Sequence, residues 1–211
     1  MLQSVQNNVF VKVDHKYIGN ISNLMRIASI QNGASVDPSQ FVNIMGTVVS
    51  IPKSISGKRE DNGFTTENIK IGDTAIFSYI VIYDLIMEEE DADPIYKNRV
   101  WLDAKELFAV DIKNLFAVIR DGEIIMLNGY VMTTDFEESK IIIPAHMRRL
   151  KKSAKCEVIS IGEPKQGEPK LDISRGDEVY FNPLIAQKYQ ISGKKFCIIT
   201  QKQVFGKKIV G

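Results

Sequence analysis

Short runs of apolar residues alternate with polar positions along most of this chain. The runs are rich in β-branched and aromatic residues and are bounded by Gly, Asn, Asp, Pro and Ser, which is typical of β-strands joined by turns. We therefore predict a mainly β protein. The predicted strands are VFVKV (9–13), MGTVVSI (45–51), TAIFSYIVIYD (74–84), ELFAVDI (106–112), LFAVIRDGEIIMLNGYVMTT (115–134), CEVISIG (156–162), DEVYF (177–181) and KKFCIIT (194–200).

Two of these runs carry further information about local structure. The run at 74–84 is apolar almost throughout, so we expect it either to be buried on both faces or to bend partway along. In the run at 115–134, Asp121-Gly122 stands between two apolar stretches, which predicts a β-hairpin. Helix is indicated only by the short stretch SNLMRIASI (22–30).

Three segments of the sequence occur twice in the same order. The separation of the matching segments shrinks along the chain, from 110 to 104 and then to about 89 positions. The first copy must therefore carry an insertion, which we place between Phe77 and Leu107, at the acidic segment MEEEDADPIYKNR (87–99). We predict two tandem domains, 1–122 and 123–211. The matching pairs are GTVVSIP (46–52) with CEVISIGEP (156–164), IKIGDTAIF (69–77) with ISRGDEVYF (173–181), and LFAVDIKNLFAVI (107–119) with FCIITQKQVFGKKI (196–209).

A Gly-Asp step precedes a predicted strand in each copy, as Gly72-Asp73 and as Gly176-Asp177. Glycine adopts positive φ without a steric penalty, and an aspartate side chain accepts hydrogen bonds from nearby backbone N–H groups. We interpret both steps as turn structure and not as catalytic aspartates. Each copy is interpreted as a small β-barrel. The expected core residues are Val48, Val49, Ile76, Phe77, Phe108 and Val110 in the first copy and Val158, Ile159, Val179, Phe181, Ile198 and Ile199 in the second.

Composition and charge are those of an ordinary globular protein. The chain is 44% apolar and 25% charged, and its formal net charge of +1 gives no overall field that would attract nucleic acid or a membrane. No apolar run approaches the roughly 20 residues of a membrane span, and MLQSVQNNVF lacks the features of a signal peptide. Cys156 and Cys197 lie in strand-like runs without metal-site spacing. We therefore expect buried thiols in a cytoplasmic protein that makes no membrane contact.

The sequence carries no recognisable catalytic or metal-binding motif. Its two histidines, His15 and His146, lie in polar segments, and no P-loop, Rossmann glycine pattern or Cys/His cluster is present. We therefore expect no enzymatic activity, no cofactor and no bound metal. The acidic run at 88–93 lacks the spaced oxygen ligands and the turn glycine of a calcium loop, so we interpret it as an exposed charged loop.

A basic run in the second copy, HMRRLKKSAK (146–155), has two interpretations. Its charges could contact phosphate groups or an acidic protein surface, or they could belong to a solvated loop, which we favour. No aromatic residue is interleaved with them, which argues against a stacking surface for single-stranded nucleic acid. We therefore expect no nucleic-acid partner. The charged residues are Arg148, Arg149, Lys151, Lys152 and Lys155.

The order of these motifs resembles the co-chaperonin family (GroES-type, chaperonin-10). Members of that family have an opening strand, a loop with three apolar residues, a strand ending in Gly, a polar hairpin, a Gly-Asp strand and a final strand pair. The first copy offers the same order, with a longer connection across 14–44 and with the acidic insertion. The resemblance implies two tandem GroES-like small β-barrels. In the second copy the parts are EIIMLNGYVM (123–132), SKIIIPAHMRRLKKSAK (139–155), CEVISIG (156–162), EPKQGEPKLD (163–172), RGDEVYF (175–181) and KKFCIITQKQVFGKKI (194–209).

The resemblance also implies that an apolar loop docks onto the ring of a 60-kDa-type chaperonin. Ile141, Ile142 and Ile143 stand at the matching place between polar flanks. On its own an isoleucine triplet is more typical of a core strand, and that alternative stays open, but the polar flanks and the repeat register favour a binding loop. In the first copy Ile27 and Ile30 are the corresponding candidates, with a buried helix or strand as the alternative. The implied function is a homo-oligomeric ring that caps its partner and assists ATP-dependent protein folding.

A different class of function fits the same predicted domains. Tandem barrels could form a structural ring or an adaptor subunit, for example of a viral particle, with the loops holding neighbouring subunits. A co-chaperonin is expected to leave residues 139–155 disordered when free, whereas a structural subunit would pack them in place. A third option, a nucleic-acid-binding barrel, would require salt-sensitive binding through residues 148–155.

Overall fold

The computed structural model gives a mainly β protein, as the sequence predicts. Within the residues that it describes, regular structure consists of strands, one short α-helix and two 3-10 turns. The helix expected at 22–30 lies outside the described residues. The described residues are 7–13, 45–55, 63–78, 80–83, 85–86, 95–96, 98–102, 105–136, 154–182, 186–191 and 193–208.

The first half of the chain forms an antiparallel sheet of seven strands and a separate two-stranded hairpin. The elements are β1 (Asn8–Val13), β2 (Met45–Ser50), β3 (Thr74–Phe77), α1 (Ile80–Tyr83), β4 (Leu85–Ile86), β5 (Ile95–Tyr96), β6 (Arg99–Leu102), β7 (Lys105–Asp111), β8 (Leu115–Arg120) and β9 (Glu123–Met126). The order across the sheet is β6-β7-β1-β2-β3-β8-β9, and β4 pairs with β5.

The second half forms an antiparallel sheet of six strands. They are β10 (Tyr130–Thr134), β11 (Ala154–Ile161), β12 (Glu178–Phe181), β13 (Gln187–Ile191), β14 (Lys194–Thr200) and β15 (Val204–Lys207). The order across the sheet is β13-β14-β10-β11-β12-β15. Strand by strand, this is the order β6-β7-β1-β2-β3-β8 of the first sheet.

The two sheets also agree in register and in the positions of their bulges. Opposite β1, strand β2 bulges at Val49, between the residues that face Phe10 and Val11; opposite β10, strand β11 bulges at Ile159, between the residues that face Met132 and Thr133. A second bulge lies at Phe116 in β8, opposite β3, and at Phe205 in β15, opposite β12. A 3-10 turn joins β7 to β8, at Ile112–Asn114, and another joins β14 to β15, at Gln201–Gln203. A bulge breaks strand regularity at one defined position, so a shared bulge is a specific structural likeness.

The insertion in the first half lies between β3 and β6. Phe77 and Phe181 match and are 104 positions apart. Arg99 and Lys188 also match, because their strand partners Phe108 and Cys197 are equivalent, but they are only 89 positions apart. Fifteen extra residues therefore fall between Phe77 and Arg99. This region contains α1 and the paired strands β4 and β5. The apolar run predicted at 74–84 therefore does not continue as one strand but ends as a strand at Phe77 and turns into α1.

The opening strand predicted for the second copy at 123–132 is divided in two. Its first part, β9, pairs with β8 in the first sheet through the two-residue turn at Asp121 and Gly122, the hairpin that the sequence predicts. Asn128 and Gly129 then adopt positive φ, at 47° and 75°, and turn the chain into the second sheet. The first sheet therefore extends to Met126, four residues beyond the predicted domain boundary.

Buried apolar residues form three clusters. The first consists of residues of the first half and includes Phe77 and Phe108. The second consists of residues of the second half and includes Phe181, and the third combines residues of both sheets. Ten of the twelve expected core residues are buried, whereas Val49 and Ile159 are only partly buried. Val49 alternates with the buried Val48 and Ser50, so its side chain points to the other face of β2.

Candidate functional site

The residues predicted to contact a partner lie outside the described part of the chain. These are Ile141, Ile142 and Ile143 in the second copy and Ile27 and Ile30 in the first. The acidic run at 88–93 and the basic run at 146–155, apart from its last two residues, lie outside it as well. The structure does describe the strand ends that hold each of these connections.

In each sheet the long connection and the Gly-Asp turn lie at opposite ends of the strands. Neighbouring strands are antiparallel, so β1 ends beside the start of β2, and β10 ends beside the start of β11. The connections 14–44 and 137–153 leave from that end, and the segments 51–73 and 162–177 leave from the other. The insertion follows β3, which runs parallel to β1, so it shares an end with the 14–44 connection.

The end of β10 is a packed and charged anchor for the 137–153 connection. Phe136 is buried, and its ring lies edge-on to Phe181 with centroids 5.2 Å apart. Lys188 Nζ lies 4.4 Å from the centre of the Phe136 ring and 3.5 Å from Asp135 Oδ1. Asp135 Oδ1 also accepts the backbone N–H of Phe136 at 3.0 Å. The chain therefore leaves the sheet from a fixed position, which the sequence pattern did not reveal because Lys188 stands 52 residues after Phe136.

The start of β11 is held by an ion pair. Lys155 Nζ lies 2.5 Å from Glu178 Oε2 on the neighbouring strand. The hydrogen bond that Lys155 donates to the Glu178 carboxylate raises the pKa of Lys155 and lowers the pKa of Glu178. This last residue of the basic run is thus already paired within the sheet. Ala154 beside it is buried opposite Phe181.

Two buried thiols lie in the core next to this anchor. Cys156 and Cys197 are both free and buried, as the sequence analysis predicts. Burial, and secondarily the negative charge of Asp135, raises the pKa of Cys197 to about 12. Burial also raises the pKa of Cys156. Both groups stay protonated near neutral pH, so they act as small core side chains and not as nucleophiles.

At the opposite end, the polar hairpin of the second half packs against the first half. Gln166 donates its backbone N–H to the carbonyl oxygen of Gly63 at 2.7 Å, and Lys165 Nζ lies 3.8 Å from the centre of the Phe64 ring. Thr65 donates its backbone N–H to Asn128 Oδ1 at 2.9 Å. The sequence indicated the hairpin at 163–172 but gave no sign that it contacts residues 63–65, because the contacting residues are about 100 positions apart.

The two Gly-Asp turns use the same hydrogen bonds, in agreement with their predicted structural role. Gly72 and Gly176 have φ of 95° and 89°. Asp73 Oδ2 accepts the backbone N–H of Lys70 at 2.7 Å, and Asp177 Oδ2 accepts that of Ser174 at 2.9 Å. Matching backbone bonds join Gly72 to Val48 and Gly176 to Val158. The separations of 104 and 110 positions are those of the sequence repeat.

The aspartate of the first turn also binds a distant arginine. Arg120 Nε lies 2.8 Å from Asp73 Oδ1, and Arg120 Nη2 lies 2.7 Å from Asp73 Oδ2. This bidentate bond lowers the pKa of Asp73, although burial acts in the opposite direction. Arg120 Nη2 also donates to the carbonyl oxygen of Asn68 at 3.0 Å. Asp73 and Arg120 thus bind each other and the backbone of the turn.

Among the described residues, His, Cys, Asp and Glu form no group of three or more that could hold a metal ion. The helix found among the same residues is too short to cross a membrane.

Comparison with known protein families gives a match to the second half of the chain. Residues 123–208 match the family model described as the chaperonin 10 kDa subunit. The match begins with β9 and extends through the whole second sheet to the residue after β15. The second half is therefore similar to GroES-type co-chaperonins. The comparison with curated proteins gives no match.

Proposed function

We propose that this chain is a co-chaperonin with two tandem GroES-like domains, which caps an ATP-dependent 60-kDa-type chaperonin ring and assists protein folding. The match of residues 123–208 to the chaperonin 10 kDa subunit carries the proposal. Its extension to the first half is supported by the common strand order and the common bulges of the two sheets. Catalysis, cofactors and metals have no part in it, since ATP is hydrolysed by the partner. The buried thiols suit a reducing cytoplasm.

The proposed contact is an apolar loop at one end of each sheet. Ile141, Ile142 and Ile143 would supply it in the second domain, and Ile27 and Ile30 in the first. Fully burying one isoleucine is worth roughly 1.5–3 kcal/mol, whereas ordering each loop residue costs about 1–2 kcal/mol. A single loop should therefore bind weakly and detach readily.

Weak single contacts make a ring of several chains necessary. Loops that are held together on one cap bind as a group, because each new contact benefits from a high effective concentration. We therefore propose a homo-oligomeric ring whose loop ends face the chaperonin. The polar hairpin at 163–172 leaves from the opposite end of the second sheet, where the roof of such a cap would lie.

The experiment is a titration of the protein with a bacterial-type chaperonin, in the presence and absence of ATP, followed by pull-down and light scattering. We expect nucleotide-dependent binding by the wild type and its loss in Ile142→Asp. Ile71→Asp is the matched control: Ile71 is 70% exposed and lies at the end of the first sheet that carries the Gly-Asp turn. The control should bind as the wild type does.

The alternative function predicts a different outcome of the same experiment. A structural ring or adaptor would show no nucleotide-dependent binding even with the chaperonin of its own host. Hydrogen exchange of residues 139–155 separates the two functions further. A co-chaperonin should gain protection there when the chaperonin and ATP are added, whereas a structural subunit should show protection before addition and no change after it.

A further inference from the structure

Two exposed apolar side chains lie at the loop end of the first sheet. Ile80 is the first residue of α1, which follows the end of β3, and it is 49% exposed. Trp101 lies near the end of β6 and is 62% exposed. It pairs with Glu106 near the start of β7. Because β7 is antiparallel to β1, this strand pair ends beside the end of β1, where the 14–44 connection begins.

The indole ring of Trp101 is supported by charged neighbours on the same sheet. The guanidinium carbon of Arg99 lies 5.1 Å from the centre of the ring, within the range of a cation–π interaction. Arg99 is itself held, because its Nε lies 2.6 Å from Glu106 Oε1. Trp101 therefore presents a large apolar surface in a fixed position, and a partner that covers it does not have to order it first.

The helix that carries Ile80 is fixed to the same part of the sheet. Val81 of α1 is buried in the core of the first half. Asn98, directly before β6, donates from Nδ2 to the carbonyl oxygen of Val81 at 2.9 Å. The carbonyl oxygen of Asn98 in turn accepts a backbone N–H from β7 at 2.8 Å. One residue thus ties α1 to the strand pair that carries Trp101.

The two halves of the chain differ in how they present apolar residues at this end. Gln190 stands at the position of Trp101 in the second sheet, as the matching strand pairs show. No helix follows β12 among the residues that the structure describes. The long connection of the second half contains Ile141–Ile143, whereas residues 14–44 contain no three consecutive apolar residues. The half without an apolar triplet is therefore the half with fixed apolar side chains.

We propose that Ile80 and Trp101 form a second, preformed contact with the apolar surface of the chaperonin ring. This contact rests on the proposed function, in which the loop end of each sheet faces the chaperonin. The partner follows from that position, because a surface that receives the loops also lies next to Ile80 and Trp101. Covering these side chains removes apolar area from water without the cost of ordering a loop. Tryptophan is moreover among the residues that most often dominate protein interfaces.

The first test compares binding of the wild type and of the double variant Ile80→Gln/Trp101→Gln to a bacterial-type chaperonin with ATP, followed by light scattering. Glutamine is the residue that the second sheet carries at the matching position. We expect about tenfold or more weaker binding by the double variant. Ile71→Gln is the matched control, since Ile71 is 70% exposed at the opposite end of the sheet, and it should bind as the wild type does.

The outcomes separate this contact from the proposed function. If the wild type binds, Ile142→Asp does not, and the double variant binds as tightly as the wild type, the contact at Ile80 and Trp101 is overturned and the proposed function stands. If the wild type itself fails to bind, the proposed function is overturned and the contact falls with it.

The second test uses the wild type alone and so does not depend on the folding of a variant. Trp101 is the single tryptophan of the chain, so its fluorescence reports on this contact when the chaperonin contains no tryptophan. We expect acrylamide to quench the free protein and to quench it much less after the chaperonin and ATP are added. Protection in the dilute free protein would mean that the chain covers the ring itself, and protection that grows with its concentration would mean that a second copy does. Either result, or a complex that forms without protecting Trp101, overturns the proposal.

Discussion

The aspartate of each Gly-Asp turn accepts a backbone N–H from the residue three positions earlier. The two aspartates differ in what surrounds them. The side chain of Asp73 is 4% exposed and is bound by Arg120, whereas that of Asp177 is 29% exposed and lies 3.5 Å from Lys207 Nζ. Removing a buried carboxylate leaves its donors without an acceptor, and this costs more than removing a solvated one. The same turn should therefore tolerate substitution differently in the two halves.

We predict that Asp73→Ala destabilises the protein by roughly 2–3 kcal/mol and Asp177→Ala by about 1 kcal/mol. The difference in free energy of unfolding is measured by urea denaturation at neutral pH. Because the Arg120 bond lowers the pKa of Asp73 below its ordinary value of 3.8, the contribution of Asp73 is present above that pH. It is lost as the pH falls through the lowered pKa, so the difference between the wild type and Asp73→Asn should shrink in that range. Equal losses for the two alanine variants would contradict the assignment.

At single residues, the sequence predicts roles that depend on local structure but not contacts between distant positions. The Gly-Asp step indicated both turns, because the reason for Gly72 and Asp73 is local: a positive φ and a nearby N–H group. Arg120 could not be assigned to Asp73, since it lies 47 residues away on another strand.

At the scale of elements, the contact between residues 63–65 of the first half and the hairpin at 163–172 depends on the absence of a side chain at Gly63. A Cβ atom at Gly63 would lie 2.6 Å from the carbonyl oxygen of Gln166. Gly63 also has a φ of 89°, which disfavours other residues. Gly167 has a similar φ of 85°, but a Cβ there would meet nothing within 4 Å. An alanine would be strained at either position, but only at Gly63 would it also collide with a neighbour.

We predict that Gly63→Ala destabilises the protein by roughly 2–4 kcal/mol, of which about 1–2 kcal/mol is backbone strain and the remainder is overpacking. Gly167→Ala should lose only the stability that corresponds to the backbone strain, about 1–2 kcal/mol. Urea denaturation gives both values. Hydrogen exchange of the Gln166 amide, which donates to the Gly63 carbonyl, tests whether the hairpin contact is what was lost. If Gly167→Ala loses as much stability, or Gln166 stays protected in Gly63→Ala, the contact is not the cause.

The order of elements was more predictable than their allocation to sheets. The repeated segments and the Asp121-Gly122 hairpin follow from composition and spacing; the structure contains the hairpin, and its two sheets share a strand order. The allocation of Glu123–Met126 to the first sheet did not follow, because a continuous apolar stretch is compatible with either neighbour. The Asn128-Gly129 step, a turn signal within that stretch, was the available indication of the break.

At the scale of the molecule, the apolar cluster between the sheets links their stabilities. Phe116 of the first sheet and Met132, Tyr189 and Ile198 of the second are all buried in it. Either sheet alone would expose this surface to water, at a cost that scales with its apolar area. The two sheets should therefore unfold together, although their strand order would suit two independent domains.

The chain carries its own probes for this prediction. Its single tryptophan, Trp101, lies in the first sheet, and its two cysteines lie in the second. We predict that tryptophan fluorescence and thiol reactivity change at the same urea concentration, as expected for a single cooperative transition. Phe116→Ala should lower the free energy of unfolding by about 3–5 kcal/mol, by the same amount with either probe. Ile71→Ala, at a 70% exposed position, should change it by no more than about 0.5 kcal/mol with either probe. Separate transitions, with Phe116→Ala moving only the fluorescence, would mean that the sheets are independent and that the cluster between them contributes little to stability.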